Sequence, residues 1–164
     1  MFVHRFVMTE KLHHLKFTRY GCRASSVLQK NSKLYGPMNA LDVENVTTCW
    51  SSNGSPAGKH QSFYIVDFGR LVEPTELRVQ FQAGFVGEEL NIFWEDGESW
   101  KPLVDHEVVD HHDLQMFSLV EGHRGTRTKS LKLVFDECTD FYGRVTVYQL
   151  QIWGFEVDAL SRAI

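Results

Sequence analysis

Apolar and polar side chains alternate without a break from Leu77 to Gln82, and again from Leu131 to Phe135. A period of two sends successive side chains to opposite faces, so each stretch predicts a strand with one buried and one wet face. Ser62 to Phe68 is an almost continuous β-favouring run and Leu90 to Trp94 is another, with Asp96-Gly97 behind it as a turn signal. Near the C-terminus Val145 and Val147 share one parity, but the apolar positions then move to Leu150 and Ile152. A bulge or a change of sheet near Tyr148-Gln149 accounts for the shift, because one extra residue turns every later side chain over. No long stretch carries a helical period. Strands of this length, separated by turns rich in Gly, Asn, Asp and Pro, predict an all-β antiparallel sandwich or jelly roll. No repeat, low-complexity tract or linker divides the chain, so it reads as a single domain over 22–156, with an N-terminal extension over 1–21 and a tail over 157–164.

Composition narrows the picture. At 164 residues the chain has the length of one domain, and folding at that size buries about two-thirds of the unfolded surface without a staple. Seventeen basic against 21 acidic side chains give a net charge of −4, which argues against a domain built to hold phosphate backbone, so no direct DNA contact is expected. No apolar run approaches the ~20 residues of a membrane helix, and no membrane partner is expected. The three cysteines, Cys22, Cys49 and Cys138, are odd in number and widely spaced. That spacing suits neither a zinc site nor a disulfide framework and points to a reducing compartment. Two glycosylation sequons, Asn45-Val46-Thr47 and Asn53-Gly54-Ser55, count only in a secreted chain. Met1 to Tyr20 is basic, with Glu10 its one acid, and lacks the continuous apolar core of a secretory signal. A loosely ordered extension and a mitochondrial presequence are the two readings of that stretch.

The chemistry of an enzyme is not on display. There is no G-x-S-x-G, Ser55 sits in a plain turn, no phosphate-cradling glycine loop occurs, and nothing local supplies a base to activate a thiol. No catalytic residue and no cofactor are therefore expected. Asp105 to Asp113 approaches a zinc-protease spacing, but that spacing needs a helix and Val108-Val109 favours a strand. A solvated loop without metal is the expectation there, and also for the basic stretch His123 to Lys129. Aromatic residues at turns are more informative: Tyr35, Trp50, Phe85, Phe141 and Tyr142 all sit beside Gly, Asn, Ser or Asp. Such side chains either serve recognition or fold inward as plugs. Trp50 is expected inside. Phe85, within Gly84-Phe85-Val86-Gly87, suits a projecting turn and a plug equally.

Several segments, taken in order, resemble the discoidin family, which includes the coagulation-factor C domains and galactose-binding-like modules. They are Ala24-Ser25-Ser26, Ala40-x-Asp42, Thr48-Cys49-Trp50-Ser51-Ser52 and Tyr64-Ile65-Val66-Asp67-Phe68-Gly69. Glu95-Asp96-Gly97-Glu98-Ser99-Trp100-Lys101-Pro102, the strand Leu131 to Phe135 and Gln149-Leu150-Gln151-Ile152-Trp153-Gly154 complete the set. The resemblance covers Cys22 to Gly154 and implies a discoidin-like jelly roll. Within the family, Ser25-Ser26-Val27-Leu28, Val79-Gln80-Phe81-Gln82-x-Gly84-Phe85 and Thr139-Asp140-Phe141-Tyr142-Gly143-Arg144-Val145 are similar to a small intracellular branch. Its members are associated with an orphan nuclear receptor and described as repressors of its transactivation. This implies a non-enzymatic protein-binding module, nuclear or cytoplasmic, whose partner is an orphan nuclear receptor. A glycan-binding module and an adaptor subunit of a larger complex are the alternatives.

Departures from the family bear on the site. Relatives outside the cell tie their ends with a disulfide, but here no cysteine follows Gly154 to pair with Cys22. Some relatives bind calcium at the loop matching Asp42 to Thr48. That loop is one residue longer here, and Gln149 replaces a last-strand glutamate, so no calcium is expected. The family's ligand-facing tips correspond to Lys30–Tyr35, Ser51–His60, Gln82–Gly87 and the turn Asp140–Arg144. The expected contact set is Tyr35, Asn53, Gln82, Phe85, Tyr142 and Arg144. Arg144 either pairs bidentately with a ligand carboxylate or bridges internally to Asp140 or Asp136.

Overall fold

The alternating run at Leu77–Gln82 turns out to be one end of a strand long enough to serve two layers. A computed structural model of the chain describes residues 12–16, 21–55, 61–120 and 125–157. Most of the basic N-terminal stretch, residues 56–60 of the second tip, His123-Arg124 and the tail beyond 157 lie outside the described residues. The strands are β1 (His13–His14), β2 (Cys22–Ala24), β3 (Trp50–Ser51), β4 (Ser62–Phe81), β5 (Gly87–Glu95), β6 (Trp100–Glu107), β7 (Gln115–Ser118), β8 (Thr128–Cys138) and β9 (Thr146–Glu156). A four-residue helix, α1 (Ser32–Tyr35), lies between 3-10 turns at Leu28–Lys30 and Pro37–Leu41.

The first part of β4, Ser62 to Asp67, pairs with β8 on one side and β2 on the other. From Val72 to Phe81 it pairs with β9, and through Glu76–Val79 with β7. The exchange of partners falls around Gly69, whose φ of +67° is one that L side chains rarely adopt. Arg70 pins the corner by donating Nε and Nη2 to the Glu156 carboxylate at 2.7 and 2.5 Å, and Nη1 to the Phe68 carbonyl at 2.9 Å. Beyond β8 lie β5 and then β6, and every pairing is antiparallel. One layer is thus β2-β4-β8-β5-β6, and the other is β7-β4-β9 with β1 and β3 side by side on the far edge of β9. The jelly-roll sandwich expected from the pattern is the fold observed.

The parity shift in β9 has the cause expected of it. Gln149 opposes Gln80, the next pair is Val147 with Phe81, and Tyr148 is left over as a bulge. Val145, Val147, Leu150 and Ile152 consequently all point into the core and are at most 1% exposed. Trp50 is inside as well. Its ring meets Tyr64 at 5.3 Å and Phe135 at 5.9 Å, Phe135 meets Phe81 edge-on at 5.9 Å, and all four are at most 1% exposed. Their polar ends are provided for: Trp50 Nε1 donates to the Ser26 carbonyl at 3.0 Å and the Tyr64 hydroxyl to the Pro37 carbonyl at 2.7 Å. These two bonds fasten the loops before α1 and before Met38 to the aromatic centre. At the Asp96-Gly97 turn, Asp96 Oδ1 accepts from the Glu98 and Ser99 amides at 2.9 Å, and Lys101 Nζ lies 2.7 Å from its other oxygen. Upstream of Cys22, Leu15 is fully buried and its amide donates to the Ile152 carbonyl at 2.8 Å, beside the β1–β9 pairing.

Truncation in the aromatic centre has a large expected cost. Phe135→Ala should lose about 3–5 kcal/mol of unfolding free energy, whereas Phe141→Ala, at a residue 90% exposed, should stay within about 0.5 kcal/mol. Urea denaturation of the two variants checks the contrast, and equal losses would contradict this assignment of the core.

Candidate functional site

At one end of the sandwich, loops from four parts of the sequence enclose an open groove of about 400 Å³. Each is held by local chemistry. Asn31 caps α1 by accepting the Leu34 amide on Oδ1 at 3.2 Å, which sets Leu34 and Tyr35 on the rim. The hairpin turn after β4 is closed by the Phe85 amide donating to the Gln82 carbonyl at 3.0 Å, with Gly84 at φ +86°. It is fixed to β9 by two further bonds, Gln82 N–H to the Thr146 carbonyl and Thr146 N–H to the Phe85 carbonyl, both 3.0 Å. Asp110 supports it from behind by accepting the Gly84 amide at 2.8 Å. The loop after β3 is drawn against the last turn at Gly54, where a Cβ would lie 2.3 Å from the Tyr142 carbonyl oxygen.

The turn before β9 is organised by one carboxylate. Asp140 Oδ2 accepts the Tyr142 amide at 3.2 Å, the Arg144 amide at 3.0 Å and Arg144 Nε at 3.1 Å. Of the two internal bridges considered for Arg144, the one to Asp140 is present, while Asp136 accepts instead from Gln61 and Asn91. The Arg144 guanidinium carbon lies 5.1 Å from the Phe85 ring centre and 5.8 Å from that of Tyr142. Phe85 is half-buried, a position between projection and plug.

Four of the six expected contact residues, Tyr35, Gln82, Phe85 and Arg144, line this groove together. Tyr142 stands beside it, 59% exposed. Asn53 lies one loop away, with its amide donating to Ser26 Oγ at 2.8 Å and its Oδ1 accepting from the Gln29 amide at 3.4 Å. Gln29 and Lys30 both have positive φ, at 53° and 55°, a conformation that costs a non-glycine residue about 1–2 kcal/mol. Two of the other lining residues stand out although the expected contact set omits them. Leu34, 55% exposed, is an apolar side chain on a four-residue helix too short to show a period. Tyr148 is the bulge residue itself, which the parity shift marked as a backbone irregularity and not as a contact residue.

Other candidates have settled structural roles. In the Asp42–Thr48 loop, Asp42 Oδ1 accepts the Glu44 amide at 3.2 Å, and Asn45 Oδ1 accepts the amide and the hydroxyl of Thr47 at 3.2 and 2.7 Å. No group of three metal-ligating side chains occurs among the described residues. The Asp105–Asp113 segment runs as strand to Glu107, buries Val108 in the core and then turns at the surface, with the His106 ring on Phe117 and its Nε2 2.7 Å from the Ser118 carbonyl oxygen. The three cysteines are free thiols. Burial pushes Cys22 and Cys49 up, and burial followed by the charges of Asp136, Asp140 and Glu137 pushes Cys138 up to about 11. Thiols held protonated at neutral pH are poor nucleophiles.

The turn should carry a pH signature. Burial raises the Asp140 carboxyl, but bonds from the side chain and amide of Arg144, its charge, and the Tyr142 amide leave it below the usual carboxylate range. A carboxyl depressed on folding contributes stability that is present above its unfolded value of about 4 and lost as pH falls through the folded one. Asp140→Asn should therefore melt below the parent at pH 7, with the gap closing under pH ~4. A gap in Tm that is unchanged from pH 7 to pH 3 would contradict this role for the charge.

No family model matches the chain. Among solved structures, the F5/8 type C domain of a Bacteroides fragilis protein superposes with a TM-score of 0.73 at 14% identity, covering 89% of this chain and 98% of that one. The family 32 CBM from C. perfringens NanJ, solved in complex with galactose, superposes with a TM-score of 0.66 at 10% identity, covering 80% of this chain and 91% of that one. These establish the discoidin-type jelly roll. Among curated proteins, the nuclear receptor 2C2-associated protein of Homo sapiens is 30% identical over 136 residues, 82% of this chain and 91% of the human protein. That of Mus musculus is 35% identical over 133 residues, 80% of this chain and 89% of the mouse protein. With a third of its residues shared across nearly the whole length of these relatives, the chain belongs to the family of nuclear receptor 2C2-associated proteins.

Proposed function

We propose that this chain is a non-enzymatic module that captures an orphan nuclear receptor of the 2C2 type and represses its transactivation, acting in the nucleus or cytoplasm. The carrying observation is the convergence of Tyr35, Gln82, Phe85 and Arg144, from loops far apart in sequence, on one groove, with Tyr142 and Asn53 extending the contact surface. The name borne by these relatives, nuclear receptor 2C2-associated protein, suggests the partner class. Rigid aromatic and polar side chains presented by turns on a sandwich are well suited to protein recognition, because their contact area comes at small conformational cost. The protonated thiols and the self-satisfied Asp42–Thr48 loop support a role in binding without chemistry. With a net charge of −4, the chain acts on the receptor and not on its DNA.

Calorimetric titration of the purified chain with purified nuclear receptor 2C2 tests the reading. Phe85→Ala and Tyr142→Ala should each weaken the complex about tenfold or more while Tm stays within about 4 °C. Saturable capture on a glycan array without receptor binding would replace this reading with that of a lectin. Loss of folding in both variants would place these rings in the core and remove them from the contact set.

A further inference from the structure

The groove specifies the charge of what it receives. Asp140 and the two flanking rings hold Arg144 by its inner edge, through Nε. Its Nη1 and Nη2 make no hydrogen bond or ion pair among the described residues, and the side chain is 31% exposed where it lines the groove. A guanidinium restrained in this way loses little freedom on binding, and its outer edge offers two parallel donors that match the two oxygens of a carboxylate. Asp140 is engaged from within its own turn, since three donors already converge on Oδ2. Among the described residues no aspartate or glutamate lines the groove, and Arg144 is the one charged residue of its lining. Lys30 and Lys33, on the neighbouring rim, make no ion pair among the described residues. In a chain of net charge −4 this end therefore favours an anion.

The remaining lining is mixed, with Thr47, Ser51, Gln82 and Thr146 beside aliphatic and aromatic side chains. Leu28, Leu34, Tyr35 and Tyr148 line the same groove as Arg144, and Leu34 is 55% exposed. A neutral sugar or a basic segment would bring no anionic acceptor to the outer guanidinium edge, whereas a carboxylate would meet both of its donors. We infer that the groove takes a peptide segment of its protein partner in which an aspartate or glutamate meets Arg144 and an adjacent aliphatic side chain covers Leu34. This rests on the protein-binding reading above and adds the chemistry of the recognised segment.

Panning a phage library of random peptides on the full chain at neutral pH tests the inference without the receptor. The enriched peptides should share an acidic residue next to Leu, Ile or Val. A synthetic peptide of the enriched sequence should bind about tenfold more weakly when its acid is replaced by the amide. Arg144→Gln should cost the same factor toward the acidic peptide and nothing further toward the amide peptide, the non-additivity expected of a direct pair. Arg144→Lys should retain part of the affinity. Leu34→Ser, at a side chain outside the core, should weaken both peptides alike while the fold is kept. No enrichment, enrichment without an acid, or an acidic preference that survives in Arg144→Gln overturns the inference. If the acidic preference is lost while receptor capture persists, only this inference falls. If the preference is present while the receptor fails to bind, the segment chemistry stands and the named partner does not.

Discussion

A single strand, β4, is hydrogen-bonded into both layers of the sandwich, and the geometry of the groove follows from how it is held. Its first third belongs with β8 and β2, its last half with β9 and β7, and a left-handed glycine with an arginine clamp makes the corner between them. Because the same strand ends at Phe81, the Gln82–Phe85 turn is launched from a backbone paired into both layers. β9 returns antiparallel to it and begins at Thr146, so the Asp140–Arg144 turn must lie beside that hairpin. The two turns that meet over the Phe85 ring are brought together by strand pairing before any side chain is considered.

The aromatic centre fixes the two ends of the segment that carries α1 by a different route. Trp50 and Tyr64 are buried for their rings, yet each uses its polar atom to hold a loop carbonyl, those of Ser26 and Pro37. Core packing and loop placement are thereby the same interaction. A buried indole or phenol without a partner would be costly, so the loops cannot drift away while the core is intact. The polar residues behind the groove follow the same economy: Ser51 and Thr146 hydroxyls share a hydrogen bond at 2.9 Å, and Ser52 Oγ accepts from Ser62 Oγ and the Val145 amide.

Much of the architecture was legible because it is local. Alternation marked β4 and β8, the parity break marked the bulge, and Asp96-Gly97 marked a turn that its own carboxylate closes. The inward position of Trp50 followed from its size and setting. The groove was legible only as a set of separate aromatic turns. That Arg144 lies over Phe85 is a contact between residues 59 positions apart, created by β4–β9 register, and no pattern within a short window encodes it. Leu34 falls within an expected tip and Tyr148 at the expected bulge, but neither a one-turn helix nor a parity break says that the side chain faces a groove. Leu15 sits in a polar, basic neighbourhood that reads as an extension, and only the open edge of β9 gives it a place to be buried.

The two shortest strands also govern how the molecule meets others of its kind. The outer edge of β9 would present unpaired amides and carbonyls along eleven residues, a template onto which a foreign strand could grow. His13–His14 occupies one end of that edge and Trp50–Ser51 the other, dividing it into a gap too short to seed an ordered stack. At the opposite margin Pro102 interrupts β6 with a position that has no hydrogen to donate. The flanks are thus kept from growing strand onto strand, so resistance to stacking rests on four residues of edge cover and one imino acid as much as on surface charge.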